Sequence, residues 1–369
     1  MGKLWRWAML LAAAWPTLLA AQILVGQTSG FSGAVAAGVK ETTDGARLAI
    51  DNVNARGGVN GQRIELISLD DKFDPALAVA NARELILERR VIALFLNRGT
   101  PHTEAIKPLL EQYRVPLVAP STGAMVLHKP VQPWIFNVRS TYQREAEKVV
   151  SHLATVGMVR IAMLHVDDSF GADAAAGAAT GFGRAGLKPL FTAKFDRAKP
   201  DFAPIAALAV AQNAQAVLFF GSGTAVVEGT RALRAKGSRA QIVTLSNNAS
   251  GGFVKQMGEH ARGTIVTQVF PNERQTSVAL VKEAVALAKA HGFADVTPAM
   301  MEGFAAAKVL IEGLRRAGNK PTRESLTAAL NGLSRLDIGG MELGYSPSDH
   351  TGLDYVELSI IGADGRFMR

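Results

Sequence analysis

The sequence predicts an α/β protein made of two doubly wound parallel-sheet lobes. Short β-rich apolar runs alternate with longer helical patterns, the strand–helix–strand repetition of a parallel sheet covered on both faces. Two such sets follow one another, each about 120 residues long, the size of one doubly wound domain. Long helices are then added after the second set. This suits two lobes whose connections cross more than once better than an enzyme with a single nucleotide site. The 369 residues allow two or three domains at roughly 150 residues each.

The elements follow in order. Met1–Ala21 reads as an export signal: Lys3 and Arg6 give a positive start, Trp7–Ala14 is an apolar run ended by Pro16, and Ala20-Ala21 offers small residues for cleavage. Ile23–Gly26 is a strand. Asp44–Arg56 is a helix with Leu48, Ile50 and Val53 among its apolar positions, closed by Gly57-Gly58. Arg63–Leu69 is a strand ending at the turn Asp70-Asp71. Asp74-Pro75 starts a helix, a capping carboxylate followed by proline at the first helical position. Val91–Leu96 has strand length, a helix runs from about Thr103 to Tyr113, and Val115–Ala119 is the next strand. The second set has strands at Arg160–His165, Ala216–Phe220 and Gln241–Leu245, with helices starting near Phe170, Phe202 and Thr224. Trp134–Tyr142 joins the two sets. After Gly263–Phe270 come helices over Thr276–His291, Pro298–Ala317 and Thr322–Leu333, a Gly-rich tail and the strand Tyr355–Ile361.

Composition excludes several functions. Hydrophobic residues make up 48% and charged residues 20%, which places the chain among globular proteins and away from disordered or collagen-like ones. No run reaches the roughly 18–20 apolar residues of a membrane-spanning helix. The chain has no cysteine, so disulfides, thiolate metal sites and a cysteine nucleophile are all excluded. The formal charge is +8, but the basic residues are dispersed and do not interleave with aromatics, which argues against nucleic acid. Phe219-Phe220-Gly221-Ser222-Gly223-Thr224-Ala225-Val226 imitates a dinucleotide loop, but Val226 replaces the third glycine. It reads as a tight turn through which backbone can approach a ligand. His165 with Asp167 and Asp168 reads as a strand end beside a helix cap. No metal, cofactor or catalytic constellation emerges, so an exported two-lobed chain is more plausibly a binder than an enzyme.

Several segments in order carry a resemblance: Val25-Gly26-Gln27-Thr28-Ser29-Gly30, Asp44-Gly45-Ala46-Arg47-Leu48-Ala49, Asn54–Gly61, Asp70-Asp71 with Asp74-Pro75, Val115–Ser121, and His165–Gly171. Together they resemble the periplasmic leucine/isoleucine/valine-binding proteins, the solute receptors of ABC importers, over essentially the whole mature chain. The resemblance implies a type I periplasmic-binding-protein fold, with ligand held between two lobes that close by hinge bending. Crossovers are expected near Arg139–Tyr142, Val266–Phe270 and Ser334–Gly340. Lobe 1 would then hold residues 22–140 and 268–335, and lobe 2 residues 141–267 and 336–369.

The resemblance also implies site residues. Asn97-Arg98-Gly99-Thr100 corresponds to the family's ligand loop, with Gly99 in it and Thr100 gripping a ligand carboxylate. A helix starting near His102–Thr103 independently favours an anion there, because its first N–H groups are unpaired. Ser121-Thr122-Gly123 matches a second carboxylate clamp. Tyr142, and Phe170 in place of a tyrosine, read equally as lid or as core. Gly223 with Thr224 stands where the family has an aromatic pair, leaving more room. Ser246, followed by Asn247, falls where the family has the acid that pairs with the ligand ammonium. A hydroxyl cannot compensate a buried ammonium as a carboxylate does, so an amine-free aliphatic or aromatic acid becomes as good a candidate as an amino acid. Arg98 reads as a solvated surface residue sooner than as a helper for the anion. Phe73 and Gly99 stand where some members carry a disulfide. The expected partners are a small carboxylate ligand and membrane permease subunits, and the chain is expected to act as a monomer in the periplasm. A sensory receptor of the same fold is the main alternative, with an exported hydrolase or transferase further off.

Overall fold

The computed structural model describes residues 22–369; the expected export signal lies outside the described residues. In chain order the first elements are β1 (Gln22–Ser29), α1 (Ala36–Ala55), β2 (Arg63–Asp70), α2 (Pro75–Leu87), β3 (Ala93–Phe95), α3 (Thr100–Tyr113), β4 (Leu117–Val118) and β5 (Ile135–Phe136). There follow α4 (Tyr142–Thr155), β6 (Ile161–Val166), α5 (Ser169–Arg184), β7 (Thr192–Phe195), α6 (Ala203–Ala211), β8 (Ala216–Phe220), α7 (Gly223–Ala235), β9 (Gln241–Thr244), α8 (Gly251–Met257) and β10 (Ile265–Gln268). The last are α9 (Ala279–Ala290), α10 (Pro298–Arg316), α11 (Arg323–Asn331), β11 (Leu336–Asp337), β12 (Glu342–Leu343), β13 (Glu357–Ile361) and β14 (Phe367–Met368). No described helix is long and apolar enough to cross a membrane.

Two parallel sheets organise the chain. The first has the order β2-β1-β3-β4-β5, with β1 in register with β2 from Gln22↔Arg63 to Ser29↔Asp70. The second has the order β14-β13-β10-β9-β8-β6-β7. It is parallel from β10 to β7, and β13 and β14 are added antiparallel at one edge. One face of the first sheet packs with α1, α9, α10 and α11 around Phe95, Phe136, Met301 and Phe304; the other packs with α2 and α3 around Leu85, Ile106 and Leu110. The second sheet has its own core, centred on Leu164, Leu218, Phe219 and Val243. These continuous apolar strands are what burial on both faces requires.

α1 begins at Ala36, earlier than its apolar periodicity suggests. Its first turns present small and hydroxyl residues, because backbone from α10 comes too close for larger ones. A Cβ on Gly45 would lie 2.0 Å from the Met300 carbonyl oxygen. Asp74 caps α2 through Ala76 N–H with Pro75 in the first turn, as its sequence implies. Asp70 and Asp71 form a strand-end turn, with Asp71 accepting from the Thr28 hydroxyl and the Phe73 N–H.

The chain passes between the cores three times. It leaves the first after β5 and enters the second at α4, and it returns after β10, with Val269 and Phe270 already in the first core. The third passage differs from the expectation of Ser334–Gly340. Ile338, Met341, Leu343, Tyr345 and Leu353 all belong to the first core, and the chain joins the second sheet only at β13. The glycines that suggested a crossing instead make the β11–β12 hairpin turn, where Asp337 Oδ1 accepts from Gly339 N at 2.8 Å and Gly340 N at 2.6 Å.

Candidate functional site

Strand order reverses once in each sheet, between β1 and β3 in the first and between β6 and β8 in the second. Loops leaving the C-terminal strand ends on either side of such a point diverge and open a crevice. Here the segments that follow all four strands, loops or first helical turns, reach one cavity. Val35, Phe73, Arg98, Gly99 and Thr100 line it from the first unit, and Tyr142, Phe170, Arg197, Ser222 and Asn247 from the second; its volume is about 20 Å³. A cavity of the same size adjoins it, sharing Val35, Arg98 and Asn247 and adding Gly223, Asn248 and Phe253.

Thr100 opens α3, two to three residues before the expected start. Gly99 precedes it with φ 99°, a conformation that L side chains rarely adopt, and a Cβ there would lie 2.6 Å from His102 Nδ1 and 3.0 Å from Phe73 Cε2. Phe73 and Gly99 are therefore neighbours here. Pro101 has no N–H, and Thr103 N–H already donates to the Gly99 carbonyl. The helix terminus thus offers the N–H groups of Thr100 and His102. Thr100 Oγ1 lies 2.7 Å from Thr122 Oγ1, both side chains buried.

The loop Ser121-Thr122-Gly123 stands behind this terminus and lines neither cavity. Thr122 supports Thr100. Gly123 accepts Tyr142 N–H at 2.8 Å, and a Cβ on it would lie 2.5 Å from the Ser140 carbonyl oxygen. Ser121 N–H donates to Asn97 O, and its hydroxyl has no partner. Tyr142 and Phe170 meet edge to face, with ring centroids 4.8 Å apart, and both line the cavity. Burial holds the Tyr142 hydroxyl above its ordinary pKa.

Ser246 does not reach either cavity. Its Oγ accepts from Arg139 Nη2 at 2.6 Å, and its N–H donates to Glu145 Oε2 at 2.9 Å. Arg139 also donates to Glu145 Oε1 at 2.5 Å, faces Glu302 Oε2 at 3.6 Å, and lies 4.6 Å from the Tyr142 ring centroid. The Thr267 hydroxyl donates to Glu145 as well. Burial opposes the charge on Arg139, but the Glu302 and Glu145 carboxylates outweigh it and hold the guanidinium protonated. This ionic cluster joins the first two passages between cores, α4 and α10.

Arg98 departs most from expectation. It is not a solvated surface arginine: it is 7% exposed and borders both cavities. Nη2 donates to the Asn247 main-chain oxygen at 2.5 Å across the cleft. Burial lowers its pKa. The visible signal was its place in a strand-to-helix loop; what the sequence lacked was the fact that a second unit covers that loop. Phe73 and Arg197 were also unassigned. Their side chains meet across the cleft at 5.0 Å, with Arg197 paired to Asp168.

Further contacts tie the two units. Thr224 Oγ1 donates to Ala34 O at 3.3 Å. The Glu41 carboxylate on α1 accepts from Gly251 N at 2.9 Å and Gly252 N at 2.8 Å at the start of α8, and from Thr297 Oγ1 at 2.7 Å.

Comparison with known proteins agrees with this geometry. The periplasmic binding protein family matches residues 22–361. A substrate-binding periplasmic protein from Ralstonia solanacearum superposes with a TM-score of 0.87 at 32% identity, covering 94% of this chain and 99% of the other. A possible leucine/isoleucine/valine-binding protein from Rhodopirellula baltica SH 1 gives 0.87 at 26% identity, covering 95% and 97%. The Leu/Ile/Val-binding protein of Escherichia coli (strain K12) is 24% identical over 253 residues, 68% of each chain. The two sheets with their ordered passages, the cleft at both switch points and the match across nearly all described residues place the chain in the periplasmic binding protein family.

Proposed function

We propose that this chain is an exported solute receptor of an ABC importer that binds a small carboxylate-bearing ligand, an amino acid or a related acid, between its two units. One observation carries the reading: the N-terminus of α3, with Thr100 held from behind by the Thr122 hydroxyl and with buried Arg98 beside it, opens on the cavity at both switch points. A helix terminus, hydroxyl donors and a guanidinium all favour an anion. Tyr142 and Phe170 supply an apolar wall for the rest of the molecule.

In this reading the units separate about the three passages to admit ligand, and ligand shifts the balance toward the closed form. The closed form docks on permease subunits at the membrane, after an N-terminal signal has directed export. Micromolar affinity, about −8 kcal/mol, is within reach of a few charge-assisted bonds and one enclosed apolar group. A thermal-shift screen of amino acids against aliphatic and aromatic acids tests the reading. One compound class should stabilise the protein, and Thr100→Ala should lose most of the shift. Normal binding by that variant would remove the assigned site, and chemical turnover of the bound compound would remove the receptor reading.

A further inference from the structure

We infer that the cleft selects a monocarboxylate without an amine, with Arg98 as its principal counter-charge, over the corresponding α-amino acid. The inference rests on the receptor reading above and narrows its ligand.

Arg98 carries the argument. A guanidinium buried to this degree is costly unless ionised acceptors surround it. Its one hydrogen bond is to a neutral main-chain oxygen, that of Asn247. Among the described residues no carboxylate oxygen pairs with it, while the neighbouring Arg139 faces both Glu145 and Glu302. Nε and Nη1 of Arg98 donate to no protein group among the described residues, and the side chain borders both cavities, so two donor nitrogens of the guanidinium fork are free for a planar anion.

The second part concerns acids. Neither cleft cavity is lined by an Asp or a Glu. The nearby carboxylates are committed elsewhere: Glu145 accepts from Arg139, Ser246 N–H and the Thr267 hydroxyl, and Asp168 holds Arg197 and caps α5. Glu302 lines neither cavity; its Oε2 faces Arg139 at 3.6 Å, and its buried Oε1 has no hydrogen-bond partner. A zwitterion closed in this cleft would find donors for its carboxylate and, among the residues lining it, no ionised acceptor for its ammonium. An acid of the same carbon skeleton would bury only apolar surface at that position, against Phe73, Tyr142 and Phe170. Sites that leave a polar group unpaired discriminate strongly against the molecule carrying it.

The test uses matched pairs in calorimetric titrations of the chain, refolded to remove any bound compound: 4-methylpentanoate against L-leucine, and 3-phenylpropanoate against L-phenylalanine. In at least one pair the acid should bind at least about 100-fold more tightly than its amino acid. The neutral amide, 4-methylpentanamide or 3-phenylpropanamide, should bind as poorly as the amino acid. Arg98→Met should lose the acid by a similar factor while its thermal unfolding stays cooperative, and Arg98→Lys should retain part of the affinity. Amino acids binding as tightly as the acids would overturn the inference and leave the receptor reading standing; loss of that binding in Glu302→Gln would identify the missing acceptor. Failure of every acid and amino acid to bind would overturn both. Unchanged acid binding by a folded Arg98→Met would refute the role of Arg98.

Discussion

Gly252→Ala tests closure of the two units most directly. Gly252 starts α8 in the second unit and faces α1 in the first. A Cβ added there would lie 2.3 Å from the Ala37 Cβ. Carbon atoms pack at about 3.5–4.0 Å, so α1 and α8 must part by more than roughly 1 Å. That separation also strains the bonds from Gly251 and Gly252 N–H to Glu41. Overpacking of this kind costs about 1–3 kcal/mol. Because the contact exists only with the units together, the whole cost falls on the closed form, and ligand affinity should drop about 5- to 150-fold. Gly251→Ala is the internal control. Its Cβ would meet Glu41 Oε1 at 3.5 Å and Thr297 Cγ2 at 3.6 Å, ordinary contacts. Both substitutions gain the same helix propensity, up to about 1 kcal/mol, so their difference isolates the contact. Calorimetric titration gives the affinities, and small-angle scattering with saturating ligand gives the compactness. If Gly252→Ala binds as Gly251→Ala does, within the roughly 0.3–0.5 kcal/mol scatter of independent sites, then α1 and α8 are not closing surfaces.

The other predictions concern stability. Arg139→Met leaves Glu145 and Glu302 buried without their cation and should cost about 3–5 kcal/mol in denaturant unfolding; adding Glu145→Gln should recover part of it. Burial raises the Glu273 carboxyl from 4.5 to about 7, so the folded state holds a proton that the unfolded state has released. Its contribution is complete below about pH 4.5 and is lost as pH rises through 7. Glu273→Gln should therefore gain stability relative to the parent between about pH 5 and pH 8, by up to roughly 3 kcal/mol. Burial pushes His102 and His128 down to about 4, the opposite sign. Their contribution is present above 6.5 and lost as pH falls toward 4, and His128→Leu should flatten part of that acid slope in unfolding titrations.

The local elements were readable where a single physical rule dominates. Asp74-Pro75 marks a helix start because capping and proline geometry act within one turn, and the buried strands of both sheets show as uninterrupted apolar runs. Elements whose shape depends on a distant partner were not readable. The first turns of α1 carry Ala37, Gly38 and two buried threonines, a pattern without apolar periodicity, since α10 and α8 press against them. The short β5 and the hairpin around Gly339-Gly340 gave too few residues for a period to register.

The same division holds at the cleft. The amino-acid order alone determined two α/β units and a helix start close to Thr100, because these follow from local rules; Tyr142, Phe170, Gly223 and Asn247 were expected from the family resemblance, and the structure sets all four beside the cleft cavities. Tertiary structure alone decided that Ser246 serves Arg139 and that Arg98 lies buried between two cavities. It also decided that Glu41 meets the first N–H groups of α8. Burial and charge pairing are properties of both surfaces at once, and the second surface arrives from residues more than a hundred positions away.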